Sequence, residues 1–305
     1  MLRLPVLILS AALSLVASAY AEEREPRVVA TIIPIHGLVA GVMEGVGEPS
    51  LLVPQNASPH TFSLRPSQAA ALRDADVVFL SGPGVEAFMR DMASGLPAET
   101  KLVALSEADG VERLPIRKGG AFQEDNDAAG ADYDAHTWLD PENAIAMVRA
   151  IAVVLSEADT PHAAAFAQNR DRLIASIKTR ETEIAARMAP LASRKFILFH
   201  DATQYFEHRF GLAAAGSLSV EPDIPPGARR ISELRQLIAS HQAECVFTEP
   251  QFDSRLIGPI VEGSEARVSL IDVEGALIRP GPAAYLDLLR TLSTAFTDCL
   301  AAKVP

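Results

Sequence analysis

Short apolar runs alternate with helical patterns along almost the whole chain. Val28-Val29-Ala30-Thr31-Ile32-Ile33 is one such run, closed by Pro34, and Leu51-Leu52-Val53 is another, closed by Pro54. Runs this short, bounded by proline, predict buried strands. Between them residues 36–46 predict a helix. Pro66 opens a further short helix from its first turn, and Val77-Val78-Phe79-Leu80 predicts the strand after it. A strand–helix–strand rhythm of this kind implies parallel sheets with helical crossovers.

From Pro141 the texture changes. Residues 141–159 predict a helix with Asp140 as its N-cap. After Thr160-Pro161 a second helical stretch runs to about Ala189, with Phe166, Leu173, Ile174, Ile177 and Ile184 on one stripe. At about 28 residues it is long for a globular domain, and it predicts a backbone joining two lobes. The strand rhythm then resumes at 196–199, 245–248 and 267–271. No internal repeat is visible. The expected architecture is α/β: two lobes, each a mainly parallel sheet with helices on both faces, bridged by one long rigid helix. The lobes are expected at residues 22–159 and 191–305, and the linking helix at 160–190.

The N-terminus changes the picture by adding a compartment. Arg3, the apolar run LPVLILSAALSLVA and two Ala-x-Ala sites ending at Ala19 and Ala21 have the layout of a cleavable secretory signal peptide, residues 1–21. The run is shorter than the roughly 20 residues a spanning helix needs. No cysteine lies near the cleavage site to carry a lipid, so a free, soluble mature chain is expected. Its formal net charge goes from −12 to −13 when Arg3 is removed, which excludes nucleic acid as a natural partner. Residues 117–135, RKGGAFQEDNDAAGADYDA, hold five acidic residues among glycine and alanine, and predict a solvated, mobile loop.

Two cysteines, Cys245 and Cys299, complete the inventory. In an oxidising compartment a lone pair commonly forms a disulfide, the alternative being two separate buried thiols. A bridge closing that loop contributes up to ~4 kcal/mol in the chain-entropy model.

Candidate chemistry sits at strand ends. His200 follows the run Phe196–Phe199, and Asp272 follows Val268–Ile271 in the same way. His60 lies in a turn beyond Leu51–Val53, and His136 leaves the acidic loop just before Trp138-Leu139-Asp140-Pro141. Ligands of open parallel sheets bind outside the carboxyl ends of the strands, and these four residues all fall there. Neutral imidazoles completed by a carboxylate or water suit zinc, although no HExxH or CxxC spacing marks the site. His36, His162, His208 and His241 carry no comparable placement.

Four segments then carry a resemblance. SPHTFSLRPSQAAALRDADVVFLSGPGVEAFM (58–89), AHTWLDPENA (135–144), FILFHDATQYFEHRFGL (196–212) and CVFTEPQF (245–252) resemble the periplasmic zinc-binding component of bacterial high-affinity ABC zinc uptake systems, the cluster A-I metal-binding family. The resemblance covers nearly all of the mature chain, in order. It implies two α/β lobes bridged by a long helix, with Zn2+ as transported ligand at their interface, a membrane permease as partner, a monomer, and a Gram-negative periplasm. It implies His60, His136 and His200 as ligands, Asp272 as a fourth in many relatives, and a Cys245–Cys299 disulfide. Manganese-binding relatives carry glutamate where this chain has His200, and a third imidazole favours zinc.

Three departures stand out. Residues 117–135 lack the histidines of many zinc-type relatives. Pro59 replaces a glutamate found in some, and Asp-Pro-Leu-Gly becomes Asp272-Val273-Glu274-Gly275. The fourth ligand is thereby left between Asp272 and water. The alternatives are a manganese-binding member of the same family and a secreted zinc hydrolase, with Glu249 or Asp272 as its base.

Overall fold

The computed structural model describes residues 24–301 except 56, 118–121, 123–131, 220–227, 242, 252–254 and 256. The expected signal peptide and most of the acidic segment lie outside the described residues.

The first half is built from β1 (Val28–Ala30), α1 (Ile33–Met43), β2 (Ser50–Leu51), α2 (Pro66–Asp74), β3 (Val77–Leu80), α3 (Phe88–Ala93) and β4 (Lys101–Ala104). Then come α4 (Pro141–Ala158) and the long α5 (Ala163–Met188), flanked by single 3-10 turns at 160–162 and 189–191. The second half comprises β5 (Phe196–His200), α6 (Gln204–Phe210), β6 (Gly216–Ser219), α7 (Ala228–His241), β7 (Cys245–Thr248), α8 (Gly258–Val261), β8 (Arg267–Leu270) and α9 (Ala284–Leu300). Two four-stranded sheets result, β2-β1-β3-β4 and β6-β5-β7-β8, with every pairing parallel.

The apolar runs are the central strands. Every residue of β1, β3, β5 and β7 is buried, as expected of parallel strands covered on both faces. Val29, Val78 and Leu72 pack on the outer face of the first sheet, and Ile197, Phe199 and Leu234 on that of the second. The inner faces share one continuous core running from Leu38 through Trp138 and Ile177 to Phe247 and Phe296.

Several expected boundaries move: the strand expected at 51–53 is Ser50–Leu51, and the helix expected at 36–46 is Ile33–Met43. The run through Ile33 is not all strand: β1 ends at Ala30 and α1 begins at Ile33, with Pro34 in its first turn. Proline is tolerated there because that N–H has no intrahelical acceptor. Asp140 caps α4 by accepting from the backbone N–H of Glu142.

Helix α9 returns from the second half to pack on α1 and α5. The approach to α1 is close: a Cβ added at Gly37 would lie 2.7 Å from the backbone nitrogen of Tyr285. Cys245 and Cys299 are bridged, with Cα atoms 6.1 Å apart, tying β7 to the end of α9.

Candidate metal centre

Three imidazoles converge beside the carboxyl ends of the two sheets. His60, His136 and His200 each offer a ring nitrogen within 4.8 Å of the others'. The ring centroids are 5.5 Å apart for His60 and His136, 5.4 Å for His60 and His200, and 4.9 Å for His136 and His200. All three side chains are buried.

Each ring is positioned by its local chain. His200 is the last residue of β5, so the sheet itself fixes its Cα. Its Nδ1 lies 3.5 Å from Oε1 of Glu249, which directly follows β7. His136 precedes a 3-10 turn, 137–139, anchored by the fully buried Trp138. The Trp138 Nε1–H donates to the Val273 carbonyl at 3.1 Å, and the Tyr285 hydroxyl donates to the Trp138 carbonyl at 2.8 Å. Asp134 Oδ1 accepts from the His136 backbone N–H at 2.9 Å and lies 2.8 Å from Nδ1 of the same residue. A carboxylate on Nδ1 fixes the tautomer that leaves Nε2 as electron-pair donor. His60 reaches in from the turn after β2, and its buried Nε2 makes no hydrogen bond.

The two carboxyls after β8 are placed differently. Asp272 is not in the cluster. Its two oxygens accept the backbone N–H groups of Ala276 and Leu277, each at 2.9 Å, and so shape the turn after β8. That turn aims the next carboxyl inward. Glu274 Oε1 lies 3.8 Å from His60 Nε2, while its Oε2 accepts from Gln251 Nε2 at 2.8 Å. Two ligands of a tetrahedral zinc stand about 3.3 Å apart, so the His60–Glu274 spacing is close to one edge of such a site. The signal in the sequence was a second strand-end carboxylate two residues after Asp272. Asp134, two residues before His136, was likewise passed over.

Burial sets the protonation states. It holds the His60 imidazolium well below the usual range, assisted by the neighbouring His200 and His136. Burial also lifts Glu274 to about 8, with Glu249 and Asp272 adding repulsion, and Asp134 to about 7. The His60 ring, kept neutral by burial, is ready to donate to a cation, whereas the raised carboxyls release protons when a cation arrives.

The other histidines lie apart. The His36 Nε2 is 3.0 Å from the Pro49 carbonyl, His162 pairs with Asp159, and His208 is 4.0 Å from Glu112. The side chain of His241 is outside the described residues.

Donors converging from both sheets on one buried point define a metal-binding protein that grips its ion from two sides. Comparison with known proteins assigns the family. The profile described as "Zinc-uptake complex component A periplasmic" matches residues 28–299. The high-affinity zinc uptake system protein ZnuA of Brucella abortus (strain 2308) is 38% identical, covering 93% of this chain and 94% of that protein. Its counterpart in Paracoccus denitrificans (strain Pd 1222) is 33% identical, covering 99% of this chain and 100% of its own length. A crystal structure of ZnuA is similar with a TM-score of 0.76 and 25% identity over 92% of this chain and 99% of that one. The chain belongs to the ZnuA family of zinc-uptake binding components. That is a transport family and not an enzyme family, so the hydrolase alternative falls.

Proposed function

We propose that this protein captures Zn2+ in the periplasm with His60, His136 and His200 and delivers it to the membrane permease of an ABC importer. The observation that carries the reading is the buried convergence of three imidazoles within 4.8 Å. Three nitrogen donors favour zinc over manganese, which prefers more oxygen ligands. Glu274 is the fourth ligand in this reading, with Asp272 supporting its turn. Asp134 and Glu249 orient His136 and His200. Delivery to a permease rests on the family alone.

Competition titration against a zinc indicator tests the ligand set. Loss of an outer hydrogen-bonding partner costs roughly 10–100-fold in metal affinity. His60→Ala, His136→Ala and His200→Ala are therefore each expected to weaken binding by at least that range's lower end. Glu274→Gln is expected to weaken it more than Asp272→Asn does. Unchanged affinity in all three histidine variants sinks the site.

A further inference from the structure

Arg117 stands where the base of the acidic segment meets the second half. Two strips of chain, 114–117 and 132–135, lie side by side there, with Asp134 N–H donating to the Leu114 carbonyl at 2.9 Å and a single β-bridge between Pro115 and Tyr133. Both dock on α6. The Leu114 N–H donates to the Tyr205 hydroxyl at 2.9 Å, which in turn donates to the Asp134 carbonyl at 2.8 Å. Gln204 Nε2 donates to the Pro115 carbonyl at 3.1 Å.

The Arg117 guanidinium completes this junction. It donates from Nη1 to Glu207 Oε2 at 2.8 Å and from Nη2 to Glu207 Oε1 at 3.0 Å. Its Nε donates to Asp201 Oδ2 at 3.1 Å, and Nη2 also pairs with Asp201 Oδ1. Glu207 is itself held by the Thr203 hydroxyl at 2.7 Å and the Ala214 N–H at 2.8 Å. The ring of Phe122 covers the guanidinium, 4.3 Å from Cζ. A planar fork spanning two carboxylates is a geometry that arginine forms and lysine cannot.

Arg117 and Asp201 of this fork line the cleft that also contains two of the proposed metal ligands, His60 and His136. The cleft is lined by His60, Gly84, Arg117, Asp134, His136 and Asp201, among others. The Arg117 and Asp201 side chains are 19% and 15% exposed, whereas those of His60 and His136 are 4% and 3% exposed. The arginine pair is thus the solvent side of the cleft and the histidines are its floor. While latched, Arg117 occupies the carboxylates of Asp201 and Glu207, so that neither is free to attract an incoming cation. Unlatched, it uncovers Asp201 and Glu207, which attract one.

We propose that Arg117 is the latch of the metal cleft, and that its fork must leave Asp201 and Glu207 for zinc to pass in or out. This rests on the three-histidine reading of the floor. Arg117 is accordingly a positioning residue whose effect is on rates, in both directions, more than on affinity.

Zinc capture and release by the full mature chain test this. Release is followed by chelator competition. Capture is followed by emission of Trp138, the chain's single tryptophan, whose ring lies 5.3 Å from that of His136. Arg117→Met and Arg117→Lys are both expected to speed capture and release about tenfold, the equivalent of one charge-assisted hydrogen bond, with much less change in equilibrium affinity. Wild-type rates in Arg117→Lys alongside fast rates in Arg117→Met would overturn the latch in favour of a simple charge effect. Faster release without faster capture, or unchanged rates in both, would overturn it as well. One-to-one zinc binding by the wild type that weakens at least tenfold in His60→Ala keeps these outcomes separate from failure of the site. Without that control result the three-histidine reading falls, and the latch falls with it.

Discussion

The two halves meet along two kinds of contact of opposite character near the metal centre. One seam is apolar and shape-matched: Trp138 and Tyr285 are fully buried, and α9 presses on α1 where Gly37 leaves room only for a hydrogen. The other is made of charge. It contains Arg117 on Asp201 and Glu207, and the Arg209 fork on Asp140 with both bonds at 2.8 Å. Close-packed apolar contacts are lost outright when surfaces separate. In the charged seam the guanidiniums reach solvent, Arg209 at 30% and Arg117 at 19% exposure, whereas Asp140 and Glu207 are buried. If the latch operates as proposed, the Trp138 seam is the wall that stays fixed and the Arg117 seam the one that opens.

The largest expected effect breaks the fixed wall. Trp138→Ala removes the biggest fully buried side chain and is expected to cost about 3–5 kcal/mol by chemical denaturation. A loss below that range would mean that the seam repacks, and that the contrast is weaker than stated. Gly37→Val comes next, at about 1–3 kcal/mol from overpacking, because the nearest obstacle is backbone. Zinc should recover little of either loss if the fixed wall is independent of the ion.

The smallest effect sharpens the contrast through pH. Glu274, raised to about 8 by burial, and Asp134, raised to about 7, stay protonated in the folded apo-protein at pH values where the unfolded chain has released both protons. The folded state then binds more protons, so its stability falls as pH rises. His60, with its pKa lowered by burial, has the opposite sign, but its contribution is complete once pH passes the unfolded value near 6.5. Between pH 6.5 and 8 the apo-protein is expected to lose on the order of 1–2 kcal/mol, read as a falling Tm. Zinc should flatten that slope, and so should Glu274→Gln. A slope that persists in Glu274→Gln would move the titration to another group.

The legible parts of this fold were those where burial and pattern coincide. Val77–Leu80, Phe196–His200 and Cys245–Thr248 are central strands and announce themselves as apolar runs. Lys101–Ala104 and Gly216–Ser219 did not, because edge strands need only one covered face and carry polar or small residues. Pro34 read as a stop because proline ends strands and opens helices alike. At the site, strand-end placement made His60, His136 and His200 plausible, and the resemblance singled them out. The inward placing of Glu274 was not legible, and the sequence left the fourth ligand between Asp272 and water. That the backbone amides of Ala276 and Leu277 engage Asp272 is a property of the folded turn rather than of residue type.

The return of α9 to α1 also has a consequence for the order in which the molecule is made. Gly37 meets Ala284 and Tyr285, partners that arrive at the opposite end of the chain. The first half, although synthesised early and carrying its own sheet, lacks part of its wall until α9 has emerged. Contacts so distant in sequence form late and slow the final step of folding. Trp138, the anchor of His136, is bonded to Val273, which precedes α9, and to Tyr285, which arrives only with it. A nascent chain stopped before α9 would display His60 and His200 without the third ring's anchor complete, so capacity for tight metal capture is withheld until the whole chain is available.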